Sequence, residues 1–261
     1  MNIRTVTGFI NLADPIHDAD LRALRSLVDA ARIEFPSAGF PIQTARVATQ
    51  SLAEIAPRNL PRFARDLESV CKENQIDYAS MGALPGDHLL MEYLGEALAA
   101  TESVFGAAHI ASYPDGINLK AITAAARVIC QLAQSTADGF GNLRFAALAN
   151  CPPHSPFFPV AYHDGGTRAF ALATEAAPLA VDAFSRAQNL TEARDNLVGA
   201  VEQASETLTR IANALAARFS FRFAGIDFSL APYPERSASR SIGTAMERLT
   251  AFDWPGNVRQ L

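Results

Sequence analysis

The sequence predicts an α/β fold built on a largely parallel sheet, and three observations carry that prediction. Short runs of β-branched and small apolar residues alternate with amphipathic stretches of about 12 or more residues, the pattern of strands joined by crossover helices. No low-complexity segment, internal repeat or Gly/Ser-rich linker divides the chain, so residues 1–250 read as one α/β domain followed by an atypical tail, 251–261. With 261 residues, 49% of them hydrophobic, the chain is long enough to bury a substantial core.

Taken in order, Ile3 to Asn11 is rich in β-branched residues and reads as the first strand. Asp18 is placed to cap a helix in which Leu21, Leu24, Leu27, Val28 and Ala31 recur at helical spacing. Pro41–Thr49 alternates apolar and polar residues as a strand does. Leu60–Glu73 follows as a helix with Phe63, Leu67, Val70 and Cys71 on one stripe. Tyr78–Leu84 reads as a buried strand, the Pro85-Gly86-Asp87 turn leads to a helix carrying Leu89, Leu90, Tyr93, Leu94 and Leu98, and Ser103–Ser112 is again a strand. Asn118 is a candidate cap for a helix with Ile122, Ala125, Val128, Ile129 and Leu132 on its apolar face. After a loop at Ala137–Gly141, a strand begins near Leu143. Ala169–Thr174 reads as a strand and Ala176–Ala187 as a short helix. Thr191–Arg218 is the longest helix, about 40 Å at 1.5 Å per residue; its stripe of Leu197, Val201, Ala204, Leu208, Ile211 and Leu215 suits core packing, and a dimer seam would use the same pattern. Phe221–Leu230 is a strand, and Ser239–Thr250 a last helix.

The formal net charge of −5 and a pI near 5.6 give no electrostatic footprint for nucleic acid or an anionic membrane. Three cysteines at 71, 130 and 151 show neither CxxC nor Cys/His ligand spacing, which argues against a disulfide framework and a structural zinc site and for a reducing, cytoplasmic setting. The N-terminal apolar run is too short for a signal peptide, and no segment approaches the roughly 18 continuous apolar residues of a membrane span. No phosphate loop, GxGxxG, GxSxG or HExxH motif is present, which disfavours ATPases, ordinary dinucleotide enzymes, serine hydrolases and zincins.

Groups able to do chemistry concentrate in Leu143–Gly166, which holds Asn150, Cys151, His154, His163 and Asp164. Cys151 with a nearby imidazole could form a thiolate nucleophile; the competing account is a small, soft side chain at a strand end. His154, His163, Asp164 and Asp227 could supply nitrogen and oxygen ligands for a divalent metal, with His154, His163 and Asp227 as the ligand set, or make an acid/base pair, with His163, Asp164 and Asp227 as the catalytic candidates. The competing account has Asp164 accepting backbone N–H groups of the Gly165-Gly166 turn. Asp227 stands between Ile226 and Phe228 in an apolar strand, where a lone buried carboxylate would be costly, so it must face a polar cavity or a donor. Asn150, at the strand end, is a candidate ligand-binding amide.

The opening Asn2-Ile-Arg-Thr-Val-Thr, the Asp115-Gly-Ile-Asn-Leu segment, the strand into Ala149-Asn150 with SPFFPVAYHDGG, and GIDFSLAPYP followed by SIGTAMERLT together resemble domain-of-unknown-function family 711, also called uncharacterised protein family 0210. The resemblance runs from about residue 2 to residue 250. It implies a pyruvate-formate-lyase-like α/β barrel, whole or partial, and no agreed activity. No RVxGY-like glycyl-radical segment and no adjacent cysteine pair is present, so radical chemistry is not implied. Members of that family continue well past the position of Thr250, which makes this chain short at its C-terminus, and the tail here resembles instead the WPGNVRQL stretch of enhancer-binding activators.

The expectation is therefore an enzyme-like α/β protein with a small-molecule or divalent-metal site at its strand ends and no identified cofactor. The alternative is a non-catalytic ligand-binding or assembly module, a truncated relative that associates through an open sheet edge as a homo-oligomer.

Overall fold

The computed structural model describes residues 1–113 and 115–229. The expected helix over Ser239–Thr250 and the tail 251–261 lie outside them. The chain runs β1 (Ile3–Ile10), α1 (Ala19–Ser37), β2 (Ile42–Thr49), a single-turn α2 (Leu52–Ile55), α3 (Leu60–Glu73), β3 (Tyr78–Pro85), α4 (Met91–Ala99), β4 (Val104–Ser112) and β5 (Gly116–Ile117). It continues through α5 (Leu119–Ser135), β6 (Phe145–Ala149), β7 (Ala169–Thr174), α6 (Ala177–Arg186), α7 (Leu190–Phe219) and β8 (Arg222–Asp227).

All eight strands join one open sheet. β1, β2, β3, β4 and β6 lie side by side in chain order and parallel. Four helical crossovers join the five, the connection that parallel neighbours require. On the other side of β1 the direction reverses: β7 runs antiparallel to it, and β8 lies parallel to β7. The mixed α/β class and the mostly parallel sheet are as the sequence predicts, and among the described residues the sheet is not closed into a barrel.

The two faces of the sheet differ. One carries the helices, whose stripes (Leu21, Leu24, Leu27 and Phe35 of α1, Phe63 and Leu67 of α3, Leu94 and Leu98 of α4, Leu208 and Leu215 of α7) meet Val6, Ile10, Val47, Met81, Val104 and Leu172 in one continuous core. The other face is lined by smaller and more polar side chains: Thr5, Thr7, Ala48, Ser80, Ala83, Ala107, Ala169 and Ala171 are all buried there. Among the described residues no helix covers them. Their cover is the segment from Asn150 to Arg168, a strap that connects β6 to β7 across the sheet. Phe158 of the strap packs with Phe9 and Ala48, and Val160, Tyr162 and Cys151 pack with Ala83, Ala107 and Leu148. A strap buried in this way must have partners for its backbone. The hydroxyl of Thr7 donates to Pro156 O at 3.1 Å, that of Ser80 donates to Ala161 O at 2.7 Å, and His163 N–H donates to Thr49 O at 2.9 Å.

Local chemistry explains most element ends. The side chains of Asn59, Asn118 and Asn189 accept backbone N–H groups in the first turns of α3, α5 and α7. The expected cap at Asp18 makes no such side-chain bond. On α5 the buried stripe is Ala121, Ala125, Val128 and Leu132, so Ile122 and Ile129 face solvent instead of the core. The expected loop at Ala137–Gly141 is part of a 3-10 segment, Ala137–Arg144, broken by left-handed Asp138 and Gly139, and the strand starts at Phe145 rather than Leu143. The inward stripe of α7 holds over Ala204–Ala216 but not at Leu197 and Val201, which are half-buried.

Gly82 interrupts β3 with φ +73° at a register shift against β4. A Cβ there would stand 2.2 Å from Gln50 O. Gly82→Ala combines a left-handed backbone penalty of about 1–2 kcal/mol with a clash against backbone, so thermal unfolding should show a loss of more than about 2 kcal/mol. An unchanged melting temperature would contradict this packing.

Candidate functional site

The strap returns to the sheet where β1 and β2 end and β7 and β8 begin. His154 stands at the near side of this turn with φ +66°, an uncommon conformation for a side-chain-bearing residue, and its N–H donates to Tyr162 O at 2.9 Å. His163 is only 1% exposed. Phe9, the last loop-facing residue of β1, packs against both rings, edge-on to His154 with centroids 5.0 Å apart and tilted to His163 at 6.5 Å.

Three polar atoms converge here. His154 Nε2 and His163 Nδ1 are 3.1 Å apart, and Asp164 Oδ1 lies 3.4 Å from the first and 3.3 Å from the second. The tautomer of His163 follows from its other nitrogen, which lies 3.2 Å from Gly166 O. A carbonyl only accepts, so Nε2 carries the hydrogen and Nδ1 of the neutral ring presents a lone pair to His154, beside the acceptor Oδ1 of Asp164. Gly166 O is itself fixed, because Asn11 Nδ2 donates to Gly165 O at 3.1 Å and to Gly166 O at 2.9 Å. Asp164 Oδ1 also accepts Gly166 N–H at 2.9 Å. That bond holds its carboxyl below the usual range, burial opposes it, and the two histidines and Arg222 assist.

Burial lowers the pKa of both histidines, against the pull of Asp164 in the other direction. Arg222, the first residue of β8, places its NH2 3.4 Å from Nδ1 and 3.3 Å from Nε2 of His154 and lowers that ring's affinity for a proton further. Glu54 of α2 reaches toward the same turn, its Oε2 3.1 Å from where a Cβ on Gly165 would stand. The site is open on the side of Asp164 and Arg222, both exposed, and closed on the side of Phe9.

Of the residues picked out in sequence, His154, His163 and Asp164 meet; the others lie elsewhere. Asp227 ends β8 five positions beyond Arg222, about 17 Å along the strand, beside Thr174 and the start of β1. Its Oδ1 accepts Ser229 N–H at 2.7 Å, so it is a half-buried strand-end carboxylate and not a neighbour of the histidines. Cys151 packs with Ala83, Ala107, Leu148 and Tyr162, and its thiol is 3.6 Å from Ala149 O. Asn150, with φ +53°, accepts Tyr113 N–H at 2.6 Å and ties the end of β6 to the turn after β4. A cleft of about 610 Å³, lined by Gly86, His109, Asp115, Asn118 and Lys120, lies at the ends of β3 and β4 and not at His154 and His163. His109 joins the two regions through an edge contact with Tyr162, centroids 5.3 Å apart. Asn11, Glu54 and Arg222 carry no signal in the sequence, because only strand pairing brings them to the strap.

A histidine whose pKa is lowered on folding binds protons more readily when unfolded. The stability it contributes is therefore complete above its unfolded value, about 6.5, and is lost as the pH falls below that value toward the folded one. The metal-free protein should show a melting temperature that is flat above about pH 7 and falls on acidification, with a smaller fall over the same range in His163→Gln. Equal pH dependence in the two proteins would contradict the assignment.

The family model described as "Uncharacterised ACR (DUF711)" matches residues 1–257. Among curated proteins, a "UPF0210 protein" of Pelobacter propionicus is 27% identical over 95% of this chain and 61% of its own length. A "UPF0210 protein" of Desulfovibrio desulfuricans is 27% identical over 100% of this chain and 65% of its own. One from Clostridium beijerinckii is 26% identical over 95% and 61%. The chain thus spans under two thirds of the length of these relatives. With a match that runs through the sheet, the strap and β8 alike, the chain belongs to the uncharacterised DUF711 family, whose curated members are the UPF0210 proteins.

Proposed function

We propose that this is an enzyme-like α/β protein in which His154, His163 and Asp164 hold a divalent transition-metal ion at the C-terminal ends of β1 and β2. The observation that carries the reading is the triangle of their ligand atoms, with sides of 3.1, 3.3 and 3.4 Å. Bonds of about 2.0–2.1 Å at a tetrahedral angle place ligand atoms roughly 3.3 Å apart, so an ion fits with little movement. The hydrogen bond from His163 Nε2 to Gly166 O is the outer support that metal-ligating imidazoles commonly have. Two imidazoles and one carboxylate suit zinc, cobalt, nickel or iron better than magnesium or calcium. Such an ion supplies Lewis acidity toward an oxygen ligand. Three protein ligands leave a position open, and the exposed side of the site admits a small molecule to it. Asp227, Cys151 and Asn150 have no part in this reading.

The fold supports a wider reading of the architecture. Five parallel strands in chain order, helices on one face only among the described residues, and an opposite face covered by a strap fit the wall of an α/β barrel of the pyruvate-formate-lyase-like kind. The unpaired state of Cys71, Cys130 and Cys151 supports a reducing, cytoplasmic setting.

Calorimetric titration of the dialysed protein with zinc or cobalt should show one equivalent bound. The melting temperature should rise by about 5–10 °C at a hundredfold excess over Kd, from the roughly 2.7 kcal/mol that mass action then provides. His163→Ala and Asp164→Asn should each weaken binding about tenfold or more; Asp164→Asn keeps an acceptor for Gly166 N–H and guards against a folding defect. Absence of binding, or variants that bind as the native chain does, would sink the proposal.

A second reading, an assembly module, is favoured by Leu89, Ile117 and Leu119, which are 79%, 73% and 74% exposed around the ends of β3 and β4. Light scattering distinguishes it: a dimer that Leu119→Glu dissociates would support it, and a monomer at all concentrations would contradict it.

A further inference from the structure

We propose that Arg222 makes this centre a site for an anionic oxygen group, a carboxylate or phosphate that bridges the bound ion and the guanidinium. The inference rests on the metal reading above. Arg222 is held at the start of β8, where its backbone N–H donates to Arg168 O at 3.0 Å. Its guanidinium reaches back over the strap to His154. Several other arginines are paired with acids, Arg168 with Asp20 and Arg218 with Glu34 among them. Among the described residues no carboxylate oxygen lies within ion-pair distance of Arg222.

The tautomers show why this matters. A guanidinium only donates, and its Nη2 lies almost equally far from both ring nitrogens of His154, 3.4 Å from Nδ1 and 3.3 Å from Nε2; because His163 Nδ1 presents a lone pair, His154 Nε2 carries the hydrogen that donates to it, which leaves Nδ1 as the acceptor for Arg222. The chain of donors is complete: Arg222 to His154, His154 to His163, His163 to Gly166 O. A cation on His154 Nε2 reverses this ring, because a neutral imidazole that ligates through Nε2 carries its hydrogen on Nδ1. Arg222 then faces an N–H and has no acceptor among the described residues.

Charge points the same way. The proposed ligand set contributes one negative charge, from Asp164, against a divalent ion and an adjacent guanidinium. An oxyanion that occupies the open position and accepts from Arg222 relieves both the excess positive charge and the unpaired donor. The fork of Arg favours a two-oxygen group, which carboxylate and phosphate share.

The test uses the full chain loaded with cobalt, whose visible absorption reports its coordination, titrated with inorganic phosphate and in parallel with acetate. The native protein should respond to one or both, and which responds identifies the class. Arg222→Gln, which removes a positive charge beside the ion, should bind cobalt at least as tightly as the native chain but bind the anion about 10-fold or more weakly, as loss of a charge-assisted hydrogen bond predicts. Arg222→Lys, which keeps the charge without the fork, should recover part of that loss. Unchanged anion affinity in Arg222→Gln, or a cobalt spectrum insensitive to both anions, overturns this inference alone. Failure of the native chain to take up cobalt overturns the metal reading and this inference with it.

Discussion

The strap over the helix-free face of the sheet is the constraint on which the site depends, and His163 is where it is fixed. Its backbone N–H donates to the last carbonyl of β2 and its ring to Gly166 O, so one residue joins the strap to the sheet and sets the direction of its own lone pair. Buried backbone demands such partners, because an unpaired peptide group away from water costs about as much as a lost hydrogen bond. The strap satisfies this with side chains from the sheet floor as well as backbone. Thr7 and Ser80 present hydroxyls to carbonyls of the strap, while alanines at 48, 83, 107, 169 and 171 leave it room to approach. On the opposite face the corresponding positions are Val, Ile, Leu and Met, which fill space against helices. One sheet thus has a face built for packing and a face built for holding a polar segment in register.

The meeting of two strand directions completes the site. β1 and β2 end where β7 and β8 begin, so Asn11 from the parallel array and Arg222 from the reversed pair reach the same turn of the strap. Arg222 could not be supplied by a purely parallel arrangement, in which the start of β8 would lie at the opposite end of β1. The low proton affinity of the two histidines follows from the same placement: burial under Phe9 and the nearness of Arg222 outweigh the attraction of Asp164, and both rings keep lone pairs available near neutral pH.

Much of this was legible in the sequence. Strands rich in β-branched residues and helices with apolar stripes were readable because each pattern is local, and the asparagine caps at 118 and elsewhere obey the same local rule. Strand direction is not local. Ala169–Thr174 reads as a strand in isolation, but its reversal against β1 follows from the strap, which crosses the sheet without the helix a parallel return would need. The same limit governs the site. His154, His163 and Asp164 lie within eleven residues and group by proximity in the chain, whereas in β8 the conspicuous residue is Asp227, a carboxylate in an apolar strand, and Arg222 carries no such signal. The two residues share β8, and the direction of that strand decides which end reaches the histidines. Ile122 and Ile129 show the complementary error: bulky apolar residues suggested the buried face of α5, but small alanines pack there because α4 and α5 run close.

The central claim is that three ligand atoms on the strap form one cation site. Crystals of the full chain grown with zinc, measured at wavelengths either side of the zinc absorption edge, test it most directly. The account predicts an anomalous peak about 2.0–2.2 Å from His154 Nε2, His163 Nδ1 and Asp164 Oδ1. A peak elsewhere, or an ordered histidine pair with no peak between it and Asp164 at saturating zinc, would contradict it.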